Sequence, residues 1–395
     1  MTGLLQFGMI RLCTDVHVSD FRSFRANAMP RIPRKLLIDP AEVGVFHCIS
    51  RCVRRAFLCG EDRLTGRNYD YRRQWIQDRL GFLAGQFGID LLGFSVMANH
   101  LHVVLRNRPD VVESWSDDEV ARRWWNLFPL RRDDEGGPAE PEAWELSLVT
   151  GSPERLAEVR IRLSSLSWFM RCVAEPIARR ANREDQCTGR FWEGRYKCQP
   201  LLDEAAIAAC LAYIDLNPIR AGIALTPEES RFTSAYERIM ARKETGAREP
   251  TAAGRSATQE AVAIKTPASV SNGATKTRRD DWLSPLELSE DGKRTPVPQS
   301  RASNTGCLPM SLDQYLELLD WTGRQVRQDK WGAIPEEFAP ILERIGLPGE
   351  AWLHLVTDFG RLFRRSAGRP ASLRRDAEKR GRRAAGVRAS TQLFG

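Results

Sequence analysis

The stretch IDLLGFSVMANHLHVVLR, residues 89–106, decides the fold. It contains two short apolar runs, 89–96 and 100–105, on either side of a three-residue turn. Apolar runs of this length separated by a turn predict two buried strands that follow each other in a sheet. Because strand side chains alternate between faces, we expect His100 and His102 on one face, about 7 Å apart, with Leu101 on the other.

These two histidines are candidate metal ligands. Two neutral imidazoles on one rigid surface can hold a divalent cation and leave its other positions to a third side chain, water or substrate oxygens. His47 lies in the apolar run 45–52, which predicts a further strand, and is the candidate for that third ligand. The alternative for each residue is an ordinary strand histidine that packs or forms a hydrogen bond.

Extended and helical patterns alternate along residues 29–240. Helical periodicity covers three segments of this region: 71–88, between the first two predicted strands, and 154–173 and 203–217, after the last one. An insertion at about 107–153 contains a further helix that starts with a capping box at Ser116. Strands interleaved with helices, without the Gly-rich turn of a nucleotide-binding fold, indicate an α+β domain.

Four segments of this region stand out as motifs: VFHCISR at 45–51, MANHLH at 97–102, GRFWEGRYK at 189–197 and YIDLNPIRAG at 213–222. In this order they resemble motifs of the REP-associated tyrosine transposases, the single-tyrosine, insertion-sequence-200-like branch of the HUH endonucleases. The resemblance implies a central antiparallel sheet with helices packed on its faces, in the HUH or ferredoxin-like arrangement.

The resemblance also implies a chemistry. In the family, the paired histidines, here His100 and His102, hold Mg²⁺ or Mn²⁺ against the scissile phosphate of single-stranded, hairpin-forming DNA. A tyrosine hydroxyl attacks phosphorus and forms a covalent 5′-phosphotyrosine, which allows strand transfer in DNA transposition and recombination. The resemblance therefore implies an enzyme, a metal-dependent DNA endonuclease and strand transferase.

The chain departs from the family at the nucleophile. The positions that align with the expected tyrosine are Ile177 and Arg180, and Pro176 is expected to kink or restart the helix there. Tyr196 is the remaining candidate, whereas Tyr213 is expected to be a packing residue. The missing tyrosine favours a degenerate DNA-binding or regulatory protein, and a metal-dependent hydrolase that uses bound water is a third hypothesis.

Cationic and aromatic residues near these motifs are candidate DNA contacts. Guanidinium and ammonium groups bind phosphates, and aromatic rings stack on bases of single strands. The net charge of +8 fits a polyanionic partner. The alternative is that Trp192 packs in the core and the cations are only solvated. The candidates are Arg51, Arg179, Arg180, Arg190, Trp192, Arg195 and Lys197.

The rest of the chain divides by composition. Residues 1–28 are expected to be either an extension before a start at Met29 or a disordered leader. We expect 241–305 to be a disordered linker, 306–368 a small helical domain and 369–395 a basic tail that grips phosphates or is merely solvated.

Irregular cysteine spacing and the lack of an export signal predict reduced thiols. The lack of a long apolar run predicts that no segment spans a membrane. We therefore expect a cytoplasmic, nucleoid-associated protein. Monomer and homodimer stay open.

Overall fold

The computed structural model of the chain describes ten ranges: 33–53, 58–61, 66–246, 278–288, 296–327, 339–345, 347, 349–363, 365–382 and 384–394. The predicted leader, 1–28, lies outside the described residues, as do 247–277 and 289–295 of the predicted linker.

A four-stranded antiparallel sheet forms the centre of the molecule, in the order β2-β3-β1-β4. Its strands are β1 (Gly44–Arg51), β2 (Ile89–Val96), β3 (His100–Asn107) and β4 (Lys197–Leu201). The turn predicted at 97–99 joins β2 to β3, and β4 is an edge strand. The predicted α+β class with a central antiparallel sheet is confirmed.

One face of the sheet packs against the helices that connect its strands. Helix α1 (Arg72–Gln86) joins β1 to β2, and α6 (Leu166–Glu184) precedes β4. Their apolar side chains share one core with those of Cys48 and Val103 on the strands, so we name this side the α1/α6 face. Helix α6 continues through Pro176, so the helix is not restarted there.

The predicted insertion supplies three helices to this side: α2 (Pro109–Ser114), α3 (Asp117–Leu127) and α4 (Ala143–Thr150). The predicted helical segment 154–173 forms α5 (Pro153–Leu163) and the start of α6. Ser116 caps α3 as predicted, because its side chain accepts a hydrogen bond from the backbone N–H of Glu119 at 3.2 Å.

The opposite side carries His47, His100 and His102, and we name it the histidine face. Helix α7 (Glu204–Asp215) packs here, and its alanines allow a close approach to the buried side chains of Leu92 and Val104. The short α8 (Asn217–Arg220) and α9 (Ser234–Gly246) follow α7 along the chain.

The C-terminal helices also pack on the histidine face. They are α10 (Leu312–Arg327), α11 (Ala339–Arg344), α12 (Gly349–Leu362), α13 (Pro370–Lys379) and α14 (Val387–Phe394). Tyr315 and Trp352 share a core with α7 and the sheet. The helices of the predicted helical region 306–368 therefore pack into the core over the sheet through their apolar stripes.

Two segments of the predicted linker, 278–288 and 296–305, differ from the expected disorder. The buried guanidinium of Arg106 donates to the carbonyls of Thr305 (2.6 Å) and Gly306 (2.7 Å). Leu283 and Leu286 are buried as well. Hydrogen bonds from a buried guanidinium to backbone carbonyls, together with buried leucines, make these segments ordered, which their polar composition does not predict.

The basic tail is also packed. Leu373 and Leu393 are buried, Lys379 pairs with Glu42, and Arg380 donates to the carbonyl of Leu36 at 2.7 Å.

The cysteines within the described residues are free thiols, as predicted. Every helix in the described part of the chain is too short or too polar to cross a membrane.

Candidate metal and nucleic-acid site

Three of the four sequence motifs meet at one end of the sheet. In the strand register Arg51 lies opposite His100, and Ile49 lies opposite both His102 and Lys197. The loop before β4 extends this pairing, since the backbone N–H of Glu193 donates to the carbonyl of Arg51 at 2.8 Å. Segments that are more than 130 residues apart thus form one surface around the histidines.

His100 and His102 lie side by side on the sheet, as the strand alternation predicts. Their ring centroids are 4.7 Å apart and the rings are nearly perpendicular, at 79°. Nδ1 of His100 is 2.6 Å from the amide oxygen of Asn99, and Nδ1 of His102 is 2.8 Å from Nε2 of His47. Each imidazole is therefore held through Nδ1 by a neighbouring side chain.

This arrangement leaves Nε2 of His102 available. That atom is buried and has no hydrogen-bond partner within the described residues. A neutral imidazole that donates from Nδ1 carries a lone pair on Nε2, which is the form that binds metals. The unpaired Nε2 of His102, next to His100, fits a two-imidazole metal site.

The electrostatic environment keeps the three imidazoles neutral. Burial lowers the pKa of His47 to about 4, and burial together with Arg51 and Lys197 lowers the pKa of His100 to about 4. The pKa of His102 is held well below its usual value by burial and then by the neighbouring histidines. Neutral imidazoles are ready to bind a metal without first losing a proton.

A complete metal cage is not formed. Within the described part of the chain, no group of three or more His, Cys, Asp or Glu side chains is arranged to hold a metal ion. His47, the candidate third ligand, directs Nε2 to Nδ1 of His102. That geometry makes His47 a hydrogen-bond partner of His102, so the side chains left as candidate metal ligands here are His100 and His102.

The fourth motif brings Tyr213 to the histidines. Its ring centroid lies 5.8 Å from that of His102 and 6.3 Å from that of His47, both in edge contacts. The guanidinium of Arg220 lies 4.9 Å from the same ring. Among the six tyrosines of the chain, all within the described residues, Tyr213 is the one whose ring contacts the histidine rings.

Tyr196, the nucleophile candidate from the sequence, lies on the other side of the sheet. It packs with the core of the α1/α6 face, and its hydroxyl is 3.2 Å from Oγ of Ser167. The guanidinium of Arg34 covers its ring at 4.1 Å, and burial raises its pKa. Ile177 is buried in the same core. Neither residue faces the imidazoles.

The predicted DNA contacts divide into two groups. Arg51 and Lys197 are exposed and close enough to His100 to lower its pKa. Arg190 and Arg195 are exposed on the loop that extends the sheet at the same end.

Three further candidates make contacts within the α1/α6 side. Trp192 is half-buried and donates from Nε1 to the carbonyl of Ala174 at 2.8 Å. Arg180 stacks on Trp75 at 3.8 Å, and Arg179 pairs with Glu175.

The solvent exposure of the side chains at this site limits which of them a ligand can reach first. His47 and His102 are only 2% and 3% exposed, whereas His100 and Tyr213 are half-buried. Phe359 of α12 closes one side, with its ring centroid 6.3 Å from that of His47 and 5.8 Å from that of Tyr213. A ligand therefore meets His100 and Tyr213 first.

Comparisons with known proteins add little to this description. No protein-family model matches the chain, and no curated protein matches it. A solved structure described as "Structure of the REP associates tyrosine transposase bound to a REP hairpin" is similar, with a TM-score of 0.29 and 10% identity. The match covers 57% of this chain and 93% of that chain, and these figures describe a distant structural relationship.

Proposed function

We propose that this chain is an HUH-type, transposase-like protein that binds single-stranded, hairpin-forming DNA and cleaves and transfers it with Mg²⁺ or Mn²⁺. The observation that carries the proposal is the unpaired, buried Nε2 of His102 beside His100, with Arg51, Lys197 and Arg220 close by. Two neutral imidazoles and nearby cations suit a metal-bound phosphate.

The order of elements supports this proposal. The chain runs β1-α1-β2-β3-α6-β4 when α2 to α5, between β3 and α6, are set aside, and both connecting helices lie on one face. This is the ferredoxin-like order, which leaves the other face of the central strands β1 and β3 for the site. The histidines lie on those two strands.

Each residue at the site has a proposed role. His100 and His102 would hold the metal, while Asn99 and His47 orient them through Nδ1. A bound divalent metal withdraws charge from the phosphoryl oxygens. Arg51 is one of the cations that would bind the phosphates flanking the scissile one.

Tyr213 is the proposed nucleophile, since its ring is the tyrosine ring that contacts the histidines. Its hydroxyl oxygen would bond to phosphorus while the bond from phosphorus to the 3′-oxygen breaks. The phenolic proton goes to water, and the 3′-oxygen takes a proton to become a hydroxyl. The product is a 5′-phosphotyrosine, whose bond can be passed back to a DNA 3′-hydroxyl.

The second candidate function is DNA binding without cleavage. It is favoured by the 3% exposure of His102, by Phe359 beside Tyr213, and by Ile177 at a position that aligns with the family's tyrosine. In that case the cations at the end of the sheet would bind DNA while the imidazoles stabilise the fold.

A covalent-adduct assay separates the candidates. A labelled hairpin oligonucleotide with single-stranded flanks is incubated with the protein and Mn²⁺ and run on a denaturing gel. We expect a protein–DNA adduct that Tyr213→Phe abolishes and Tyr196→Phe retains. Binding without cleavage supports the second candidate, and cleavage without an adduct supports a hydrolase that uses bound water. An adduct that survives Tyr213→Phe overturns the assignment of the nucleophile.

A further inference from the structure

Three aromatic rings form a contiguous patch where the inserted helices meet α6. Trp124 lies on α3, Phe128 is the first residue after the end of α3, and Trp168 lies near the start of α6. Their ring centroids are separated by 4.5 Å (Trp124 and Phe128), 5.6 Å (Trp124 and Trp168) and 6.0 Å (Phe128 and Trp168). Phe128 is 38% exposed and both indoles are half-buried, so the patch is open to solvent. We call these three residues the aromatic patch.

Arginine side chains lie on these rings. The guanidinium of Arg162 is 4.5 Å from the centroid of Trp168 and 5.4 Å from that of Trp124. Arg155 lies 5.6 Å from the ring of Trp124, and Arg171 lies 5.1 Å from that of Trp168. Positive charge is thus held against ring faces at the surface.

Glutamates fix these arginines in place. Glu158 pairs with both Arg155 and Arg162, and Glu175 pairs with Arg171. Arg171 is still exposed by 58% of its side chain, so it can reach a second, anionic partner. Cations ordered in advance lose less side-chain entropy when they bind a phosphate.

The aromatic patch is connected to the histidine site around the edge strand β4. Ser167, the residue before Trp168, has its Oγ 3.2 Å from the hydroxyl of Tyr196. Lys197 follows Tyr196 and lies near His100. A strand that leaves the histidine site past Lys197 would meet this Ser167–Tyr196 contact, one residue before Trp168.

We propose that the aromatic patch is a stacking site for the bases of single-stranded nucleic acid, and that it continues the strand held at the histidine site. Exposed rings beside arginines are the combination that holds single strands without reading their sequence, since every base has a face that can stack. The three arginines outnumber the two glutamates that pair with them, and this excess of positive charge is complementary to a phosphate backbone. The second part of the proposal rests on the proposed function.

The test compares two oligonucleotides that share one hairpin, one blunt and one with a single-stranded thymine tail, by fluorescence polarisation. For the tailed hairpin we expect Phe128→Ala and Trp168→Ala each to raise Kd by about tenfold, the scale of losing one base stack. For the blunt hairpin we expect changes within about twofold, since the same protein makes no stack there.

Trp144→Ala is the matched control. Trp144 is 54% exposed on α4 of the same insertion, and its indole donates to Glu142 at 2.8 Å. We expect this variant to bind both hairpins like the unmodified protein. If Trp168→Ala fails to fold, Phe128→Ala, at the most exposed ring of the patch, carries the test.

Three results would overturn the proposal: tail binding unchanged in Phe128→Ala, an equal loss in Trp144→Ala, or no preference of the unmodified protein for the tail. Failure of the proposed function looks different. In that case no Mn²⁺-dependent cleavage is seen, while tail binding still depends on Phe128.

Discussion

Replacing Asp90 with alanine is expected to destabilise the fold strongly, although Asp90 is far from the histidines. Its carboxylate is fully buried and accepts from Nε of Arg106 at 2.8 Å and from Oγ of Ser303 at 2.8 Å. Arg106 is 7% exposed, so removal of the carboxylate leaves a buried cation whose acceptors are the carbonyls of Thr305 and Gly306 and, at 3.5 Å, Oγ of Ser284. Breaking a buried ion pair in this way destabilises by about 3–5 kcal/mol. Because Arg106 keeps those carbonyls, we expect about 3 kcal/mol.

The assay is urea unfolding followed by far-UV circular dichroism. With a denaturant slope of about 3 kcal/mol/M, the midpoint should fall by about 1 M. Hydrogen exchange of the backbone amides in 296–307 should also become faster, because Asp90 and Arg106 hold that segment. Asp110→Ala is the control: Asp110 pairs with Arg108 at 2.8 Å but is 51% exposed, so we expect a loss below about 1 kcal/mol. Equal, small losses in the two variants would refute the reasoning that a buried charge network holds this segment.

Three further measurements test the core and the site. Tyr315→Phe removes a 2.7 Å hydrogen bond to the buried carboxylate of Asp215 and should lower the free energy of unfolding by about 1–2 kcal/mol in urea titrations. In EDTA, the free energy of unfolding should fall as the pH is lowered from 6.5 to 4. The fall should reach about 3 kcal/mol for each of His47 and His100, because their imidazoles bind protons in this interval in the unfolded chain but, with pKa values of about 4, not in the folded one. A urea midpoint that is flat over this interval would contradict the burial of these rings. In calorimetry, His47→Leu should weaken Mn²⁺ binding by about 10- to 100-fold and His100→Ala should abolish it, whereas the surface variant His354→Ala should bind like the unmodified protein; equal binding by all three would exclude the metal site.

The local patterns predicted the sheet and the paired histidines well. Strand periodicity depends on neighbouring residues, so the 89–106 stretch fixes both β2 and β3 and the shared face of His100 and His102. The order of segment 296–305 could not be predicted in this way. It depends on Arg106, which is about 200 positions away and whose burial is not evident from the composition of the segment.

Which of Tyr196 and Tyr213 lies near the histidines could not be predicted from the sequence for a different reason. Strand alternation from Lys197, on the histidine face, assigns Tyr196 to the opposite face, but only once the first residue of β4 is known. Tyr213 follows Ala205 and Ala209 at intervals of four residues along α7. That spacing puts the three residues on one side of the helix, but nearly every residue of α7 is buried, so the sequence does not show which side faces the histidines.

Under the proposed function, the direction from which DNA would approach depends on what covers the histidine face. Phe359 of α12 lies against Tyr213 and His47, and Gly360 is so close to Tyr213 that an added Cβ would be 3.3 Å from its hydroxyl oxygen. The face of the sheet is therefore closed to a strand lying flat on it. The end of the sheet is different, because exposed Arg51 flanks half-buried His100 there. Under the proposed function, a phosphate would therefore enter end-on, past His100, towards His102 and the ring of Tyr213 that contacts it. The C-terminal helix α12 would then limit which side of the tyrosine ring the phosphate can reach, because Phe359 covers the other side.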